Sequence, residues 1–167
     1  MKKVYLYQLN KELKVFLSVF LIVLTIGVSL GLVFLFTTTS FSTNKVTERL
    51  IENENNIEED FGIDESTIRS TGELLMTTHN HILGFSFIFF FLGLIFYLNS
   101  VINGFGKMFL IVEPLLSTLI SFGSMWLIRF YGEGFIYLTI ISSVLIYISF
   151  YIMVFISLFE LNLKRLS

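Results

Sequence analysis

Two histidines, His79 and His81, stand where a long apolar run begins in "LLMTTHNHILGF", residues 74–85. Neutral imidazole binds copper, zinc or haem iron well, and it also exchanges protons near neutral pH. Positions two apart on a helix point about 200° away from each other, so the two rings cannot bind one metal ion from a regular helix. We predict a candidate metal or proton site with four members, His79, His81, Arg129 and Glu133.

Two interpretations of this patch stay open. In the first, a histidine binds copper or haem, and a second copy of the chain supplies the facing ligand, because both histidines lie on one predicted helix. In the second, the histidines mark the membrane surface at the end of a span, with Trp126 and Tyr131 forming an aromatic belt.

A second candidate for chemistry is Glu113, which lies inside an apolar run and precedes Pro114, the single proline of the chain. It comes six residues after Lys107, about 9 Å deeper at 1.5 Å per helical residue. Proline has no N–H, so the carbonyl of Leu110 loses its helical donor beside the carboxyl group. A carboxyl group in this setting could carry a proton, or it could bond to the freed carbonyl as part of the fold.

Small and hydroxyl residues recur on the faces of two predicted helices. Gly27 and Gly31 have G-x-x-x-G spacing, which lets two helix backbones approach closely. Three serines follow Glu113 at steps of four, four and three, which places them on one helix face: Ser117, Ser121 and Ser124. We predict that these residues pack helix against helix.

The composition excludes several classes of protein. Of the 167 residues, 54% are hydrophobic and 20 are phenylalanine, which is too apolar for a soluble domain. The absence of cysteine excludes disulfides, thiolate metal sites and thiol nucleophiles. No basic stripe suited to nucleic acid and no catalytic motif occurs, so we predict no catalytic residue.

The apolar runs predict an all-α polytopic membrane protein with four transmembrane helices in an up-down bundle. The predicted segments are a cytoplasmic amphipathic lead-in (1–14), helix 1 (15–37), an outward-facing acidic loop and pre-helix (38–81), helix 2 (82–102), a cytoplasmic turn (103–107), helix 3 (108–129), an outer turn (130–134), helix 4 (135–159) and a cytoplasmic tail (160–167).

Charge predicts the orientation of these helices. In the predicted topology, seven basic residues lie on one side of the membrane: Lys2, Lys3, Lys11, Lys14, Lys107, Lys164 and Arg165. Four fall on the other side, where acidic residues are dense. The positive-inside rule therefore predicts cytoplasmic termini, in a plasma membrane or bacterial inner membrane.

These features predict a structural or accessory subunit of a membrane complex. The expected partners are the lipid bilayer and other membrane subunits or further copies of the chain, and not nucleic acid. One alternative is a redox or metal-handling protein that binds copper or haem through the outer-side histidines. A second alternative is a proton-coupled carrier that uses Glu113.

Overall fold

The computed structural model describes residues 4–40 and 71–163, together with the single positions Thr43, Thr47 and Leu50. Within the ranges 4–40 and 71–163, the elements are a 3-10 turn at Leu6–Gln8, helix α1 at Lys11–Thr39, α2 at Thr71–Tyr97, α3 at Gly104–Tyr131, a 3-10 turn at Glu133–Phe135 and α4 at Ile136–Asn162. All four α-helices are long and apolar enough to cross a membrane. The predicted all-α fold with four transmembrane helices is confirmed, and the sidedness of the termini stays a prediction.

Part of the predicted topology lies outside the described residues. Most of the acidic outer loop falls there, as do the first three residues of the lead-in and the last four of the tail. Helix α2 begins at Thr71, eleven residues before the apolar run at position 82 and inside the segment assigned to the outer loop and pre-helix.

Local sequence explains where the helices begin and end. The side chain of Asn10 accepts the backbone N–H of Leu13 at 3.0 Å, which caps the start of α1. At the end of α3, Gly132 has φ of 95°, a conformation that strongly favours glycine, and its N–H bonds to the carbonyl of Ile128. This glycine allows the tight turn from α3 into α4.

The core lies between α2, α3 and α4. Phe89 of α2 packs edge-on against Phe150 of α4 at 6.3 Å between ring centroids, and both rings are almost fully buried. At Gly93, an added Cβ would lie 3.3 Å from the Ile111 side chain, so the glycine permits the close approach of α2 and α3.

Helix α1 lies at the edge of the bundle and packs mainly against α4. In its most apolar stretch 11% of residues are buried, against 28%, 33% and 39% in the other three helices. One end of the bundle brings together the start of α1, the α2–α3 connection and the end of α4. There the buried Leu6 donates its N–H to the carbonyl of Leu98 at 3.0 Å, and the Asn162 amide donates to the Ser18 hydroxyl at 3.1 Å.

Candidate functional site

The buried carboxyl group of Glu113 connects α3 to α4. Ser117, one turn along α3, donates its hydroxyl to Glu113 Oε1 at 2.5 Å, and Ser149 of α4 donates to Oε2 at 2.5 Å. The side chain of Glu113 is 8% exposed, and both serines are buried more deeply. Each carboxyl oxygen therefore accepts a bond from a neutral hydroxyl inside the bundle.

Two further side-chain bonds join the same helices. The hydroxyls of Ser121 and Ser143 lie 2.8 Å apart, and those of Ser124 and Thr139 lie 2.6 Å apart. We call the whole set the polar seam; its members are Glu113, Ser117, Ser121 and Ser124 of α3 with Thr139, Ser143 and Ser149 of α4. The seam sets the register of the α3–α4 hairpin, because each bond requires one specific pairing of turns.

Pro114 lies within α3 directly after Glu113 and is buried. Having no N–H, it cannot donate to the carbonyl of Leu110, as the sequence predicts. Its own carbonyl accepts the hydroxyl of Thr118 at 2.7 Å. Glu113 therefore lies beside an interruption in the backbone hydrogen bonding of α3.

A second buried carboxyl group, Glu160 of α4, is absent from the sequence-based predictions. Its side chain is 0% exposed, and Ser100 binds both of its oxygens, through its backbone N–H at 2.7 Å and its hydroxyl at 2.8 Å. Glu160 directly follows the apolar run ending at position 159, so the sequence assigns it to the tail. The spacing does indicate that Glu160 shares a helix face with two serines, because Ser142, Ser149 and Glu160 follow at steps of seven and eleven.

The α2–α3 connection is fixed by Asn99, which is fully buried. Its side-chain oxygen accepts the N–H groups of Val101 and Ile102 at 3.0 and 2.8 Å. Lys107 donates its ammonium group to the carbonyls of Tyr97 and Asn99 at 3.1 and 2.5 Å. A cation at these carbonyls stabilises the C-terminal end of α2, where the helix dipole is negative. The α2–α3 connection, whose Ser100 binds Glu160, is therefore also fixed by Lys107 of α3.

The two histidines lie on α2 near the opposite end of the bundle, and both are exposed. His81 Nδ1 lies 2.7 Å from the carbonyl of Thr77. Because a carbonyl only accepts, this bond assigns the hydrogen to Nδ1 in the neutral ring. The imidazole also packs against the ring of Phe122, with 5.1 Å between centroids. His81 is therefore positioned by its own helix and by α3.

The other members of the predicted four-residue site lie at the same end. Arg129 donates to the carbonyl of Leu50 and to the hydroxyl of Thr71, each at 3.2 Å. Glu133 is exposed in the turn before α4. Within the described part of the chain, no three His, Asp or Glu side chains lie close enough together to hold a metal ion. The predicted metal or proton role of these residues thus gains no support and stays a prediction.

The predicted packing residues fall into two groups. Ser117, Ser121 and Ser124 lie in the polar seam against α4. Gly27 and Gly31 lie on an open face of α1, where an added Cβ would meet no heavy atom within 4 Å. Contact between this G-x-x-x-G face and another helix stays a prediction.

Residues 40–167 match the sequence profile of a family that is described as a transmembrane helical domain. The match begins at the end of α1 and includes α2, α3 and α4, and with them the polar seam and both buried carboxyl groups. No curated protein and no solved structure matches the chain.

Proposed function

The chain belongs to the Aq_1264_TM family of transmembrane helical domains, and on this premise we propose that it is a structural or accessory subunit of a membrane complex. The observation that carries this proposal is the polar seam, in which buried polar side chains of α3 bond to α4. Hydrocarbon offers no hydrogen-bond partner to buried polar side chains, so in membrane proteins these side chains usually bond between helices. The bonds of the polar seam fix the register of the α3–α4 hairpin.

Helix α1 supplies the second element of this proposal. It contributes few buried residues, and its G-x-x-x-G face has open space beside Gly27 and Gly31. Small residues at this spacing are a common contact surface between membrane helices. We assign this face to contact with another subunit, while the α3–α4 hairpin keeps the domain rigid. Both termini are assigned to the cytoplasmic side of a plasma or bacterial inner membrane, on the basis of the basic residues.

Purification of the tagged full chain at its native abundance tests the subunit role. In a mild detergent we expect one or a few membrane proteins to accompany it at fixed stoichiometry, with the contact captured by crosslinks from α1. A parallel purification from the same extract without the tag is the control, because it counts the unrelated membrane proteins that are recovered. A partnerless, monodisperse protein would contradict the proposal.

A second candidate function is a proton-coupled carrier in which Glu113 holds the proton. It is favoured by the partners of this carboxyl group, which within the described residues are the hydroxyls of Ser117 and Ser149. A charged carboxylate in hydrocarbon is costly without a basic partner, and an intramembrane carboxyl group commonly marks a proton relay.

Proton-coupled flux into vesicles tests this candidate. Glu113→Gln keeps the shape of the side chain but cannot take up and release a proton, so flux should fall to the level of protein-free vesicles. Glu133→Gln, an exposed position on the turn before α4, is the matched control and should keep full flux. Unchanged flux in Glu113→Gln would exclude the carrier role.

A further inference from the structure

A groove of about 350 Å³ lies on the surface of the bundle between α1 and α4. Both helices are long and apolar enough to cross a membrane, so in a bilayer the groove faces lipid chains. Most of its lining is aliphatic or aromatic and consists of Ile22 and Ile26 of α1 with Val154, Phe155 and Leu158 of α4. We call this feature the α1–α4 groove.

The two polar side chains that line the α1–α4 groove, Thr25 and Tyr151, both have partners within the chain. The Thr25 hydroxyl donates to the carbonyl of Leu21 at 2.7 Å. The hydroxyls of Tyr151 and Ser29 lie 2.9 Å apart. The lining therefore offers a ligand carbon surface for van der Waals contact, which suits a hydrocarbon chain better than a polar molecule.

The length of the groove region corresponds to one leaflet of a bilayer. Hydrogen bonds join α1 to α4 on either side of it, from Asn162 to Ser18 at 3.1 Å and between Ser29 and Tyr151. Ser18 and Ser29 are eleven residues apart, which is about 16 Å along a helix. Half of a hydrocarbon core of about 30 Å is about 15 Å. One acyl chain of one leaflet therefore matches this interval.

Two lysines lie at the end of α1 from which the groove face starts. Four residues follow at steps of four, one helical turn each, along one face of α1: Lys14, Ser18, Ile22 and Ile26. Lys14 is partly buried, and Lys11, one turn earlier, is exposed. Within the part of the chain that the structure describes, no ion pair or hydrogen bond holds either ammonium group. Both positive charges are thus available to an anion at the membrane surface.

We propose that the α1–α4 groove holds one acyl chain of an anionic phospholipid, whose phosphate binds Lys11 and Lys14. Lysine stems extend along apolar surface while the ammonium group stays at the membrane surface, where lipid phosphates lie. In the assigned orientation this is the cytoplasmic leaflet, whose anionic lipids attract basic side chains.

The lipid site and the G-x-x-x-G face lie on different sides of α1. Gly27 directly follows Ile26, so the two side-chain directions differ by about 100° around the helix. A lipid in the groove therefore leaves the G-x-x-x-G face accessible to another helix. The inference does not depend on the proposed subunit role.

Native mass spectrometry of the full chain, released from detergent micelles with added lipid, tests the headgroup contact. Phosphatidylglycerol and phosphatidylcholine with identical acyl chains are supplied in equal amounts. We expect one phosphatidylglycerol molecule to be retained about tenfold better than phosphatidylcholine, because each nearby lysine favours an anionic lipid. Replacing both lysines, Lys11→Gln with Lys14→Gln, should remove this preference. Lys45→Gln makes the same change of charge in a segment assigned to the opposite side and should keep it.

A matched pair of tryptophan variants tests the groove itself. Ile22→Trp places a larger side chain in the groove and should lower retention of both lipids by about threefold or more, because the acyl chain loses van der Waals contacts. Val23→Trp adds the same bulk at the next residue, which is 62% exposed and does not line the groove, and should leave retention unchanged. Unfolding in SDS checks that both variants fold. If Ile22→Trp does not, Ile26→Trp at another exposed lining position replaces it.

Three outcomes would overturn the proposal. The first is equal retention of the two lipids by the unaltered chain. The second is displacement of the bound lipid by glycerol phosphate alone, which would mean that a phosphate binds without the acyl chain. The third is unchanged lipid retention in Ile22→Trp together with loss of a crosslink from α1 to an accompanying protein, which would assign the groove to a partner helix.

Discussion

Ser149 of α4 donates its hydroxyl to Glu113 of α3 with 2.5 Å between Oγ and Oε2, and both side chains are buried. This bond joins two helices at the position where Pro114 removes a backbone donor from α3. The same contact therefore serves the packing of the hairpin and surrounds the carboxyl group with hydroxyls. The packing role and the proton role predict different outcomes for variants at these positions.

The bond from Ser149 should contribute measurably to stability. Ser149→Ala removes the donor, and we expect the free energy of unfolding to fall by about 1–2 kcal/mol, the upper part of the range for hydrogen bonds between membrane helices. Unfolding in detergent micelles with increasing SDS measures this loss. Ser142→Ala is the matched control, because the Ser142 hydroxyl bonds only to carbonyls of its own helix, Leu138 and Thr139. Equal losses in the two variants would contradict the interhelical role.

The contact between Glu160 and Ser100 should matter more for stability. Glu160→Ala leaves the N–H and the hydroxyl of Ser100 without their acceptor, and we expect a loss of about 2–3 kcal/mol. Glu160→Gln keeps one oxygen acceptor and should lose less. The same SDS titration compares them, with Glu133→Ala at an exposed position as the control. A stability of Glu160→Ala equal to that of the unaltered chain would show that this contact does not hold the α2–α3 connection.

The length and apolar character of the helices were predictable from sequence, because a bilayer requires about 20 apolar residues for each span. The serine stripe of α3 was predictable from helical spacing alone. Helical spacing places Glu160 on the face of Ser142 and Ser149, but its burial was not predictable, since it depends on the α2–α3 connection folding over the end of α4, a contact 60 residues apart in the chain. The placement of His81 was also not predictable, because it depends on Phe122 of a different helix.

The histidines lead to a prediction about cofactors. His79 and His81 are exposed, His81 bonds to its own helix through Nδ1, and in the described part of the chain neither belongs to a group of three side chains that could hold a metal ion. Protein extracted gently from its native membrane should therefore show no haem absorption band and no stoichiometric copper. A haem band or bound copper that disappears in His81→Ala, with His79→Ala as the paired variant, would support the metal interpretation instead.

The open face of α1 predicts a change in association without a change in fold. Gly27→Leu and Gly31→Leu place side chains in open space, so stability should change by less than about 0.5 kcal/mol, as is usual for surface substitutions. Association with another helix through this face should be lost, as measured by crosslinking in the membrane. Gly93→Leu is the contrasting control. Even a Cβ added at Gly93 would lie 3.3 Å from the Ile111 side chain, so this variant should destabilise the fold. Crosslinking that persists in both α1 variants would exclude the G-x-x-x-G contact.

The proposed orientation can be tested by cysteine labelling, because the chain contains no cysteine and single introduced thiols give no background. Lys3→Cys and Phe105→Cys lie in the segments assigned to the cytoplasm, and Phe105 is 85% exposed in the α2–α3 region. Asp60→Cys and Glu133→Cys lie in the segments assigned to the outside. A membrane-impermeant maleimide added to intact cells should label the second pair only, because the basic residues retain the first pair inside. Labelling of Lys3→Cys together with Asp60→Cys would mean that the chain crosses the membrane an even number of times between them, which would overturn the assigned positions of Glu113 and Glu160 relative to the two membrane faces.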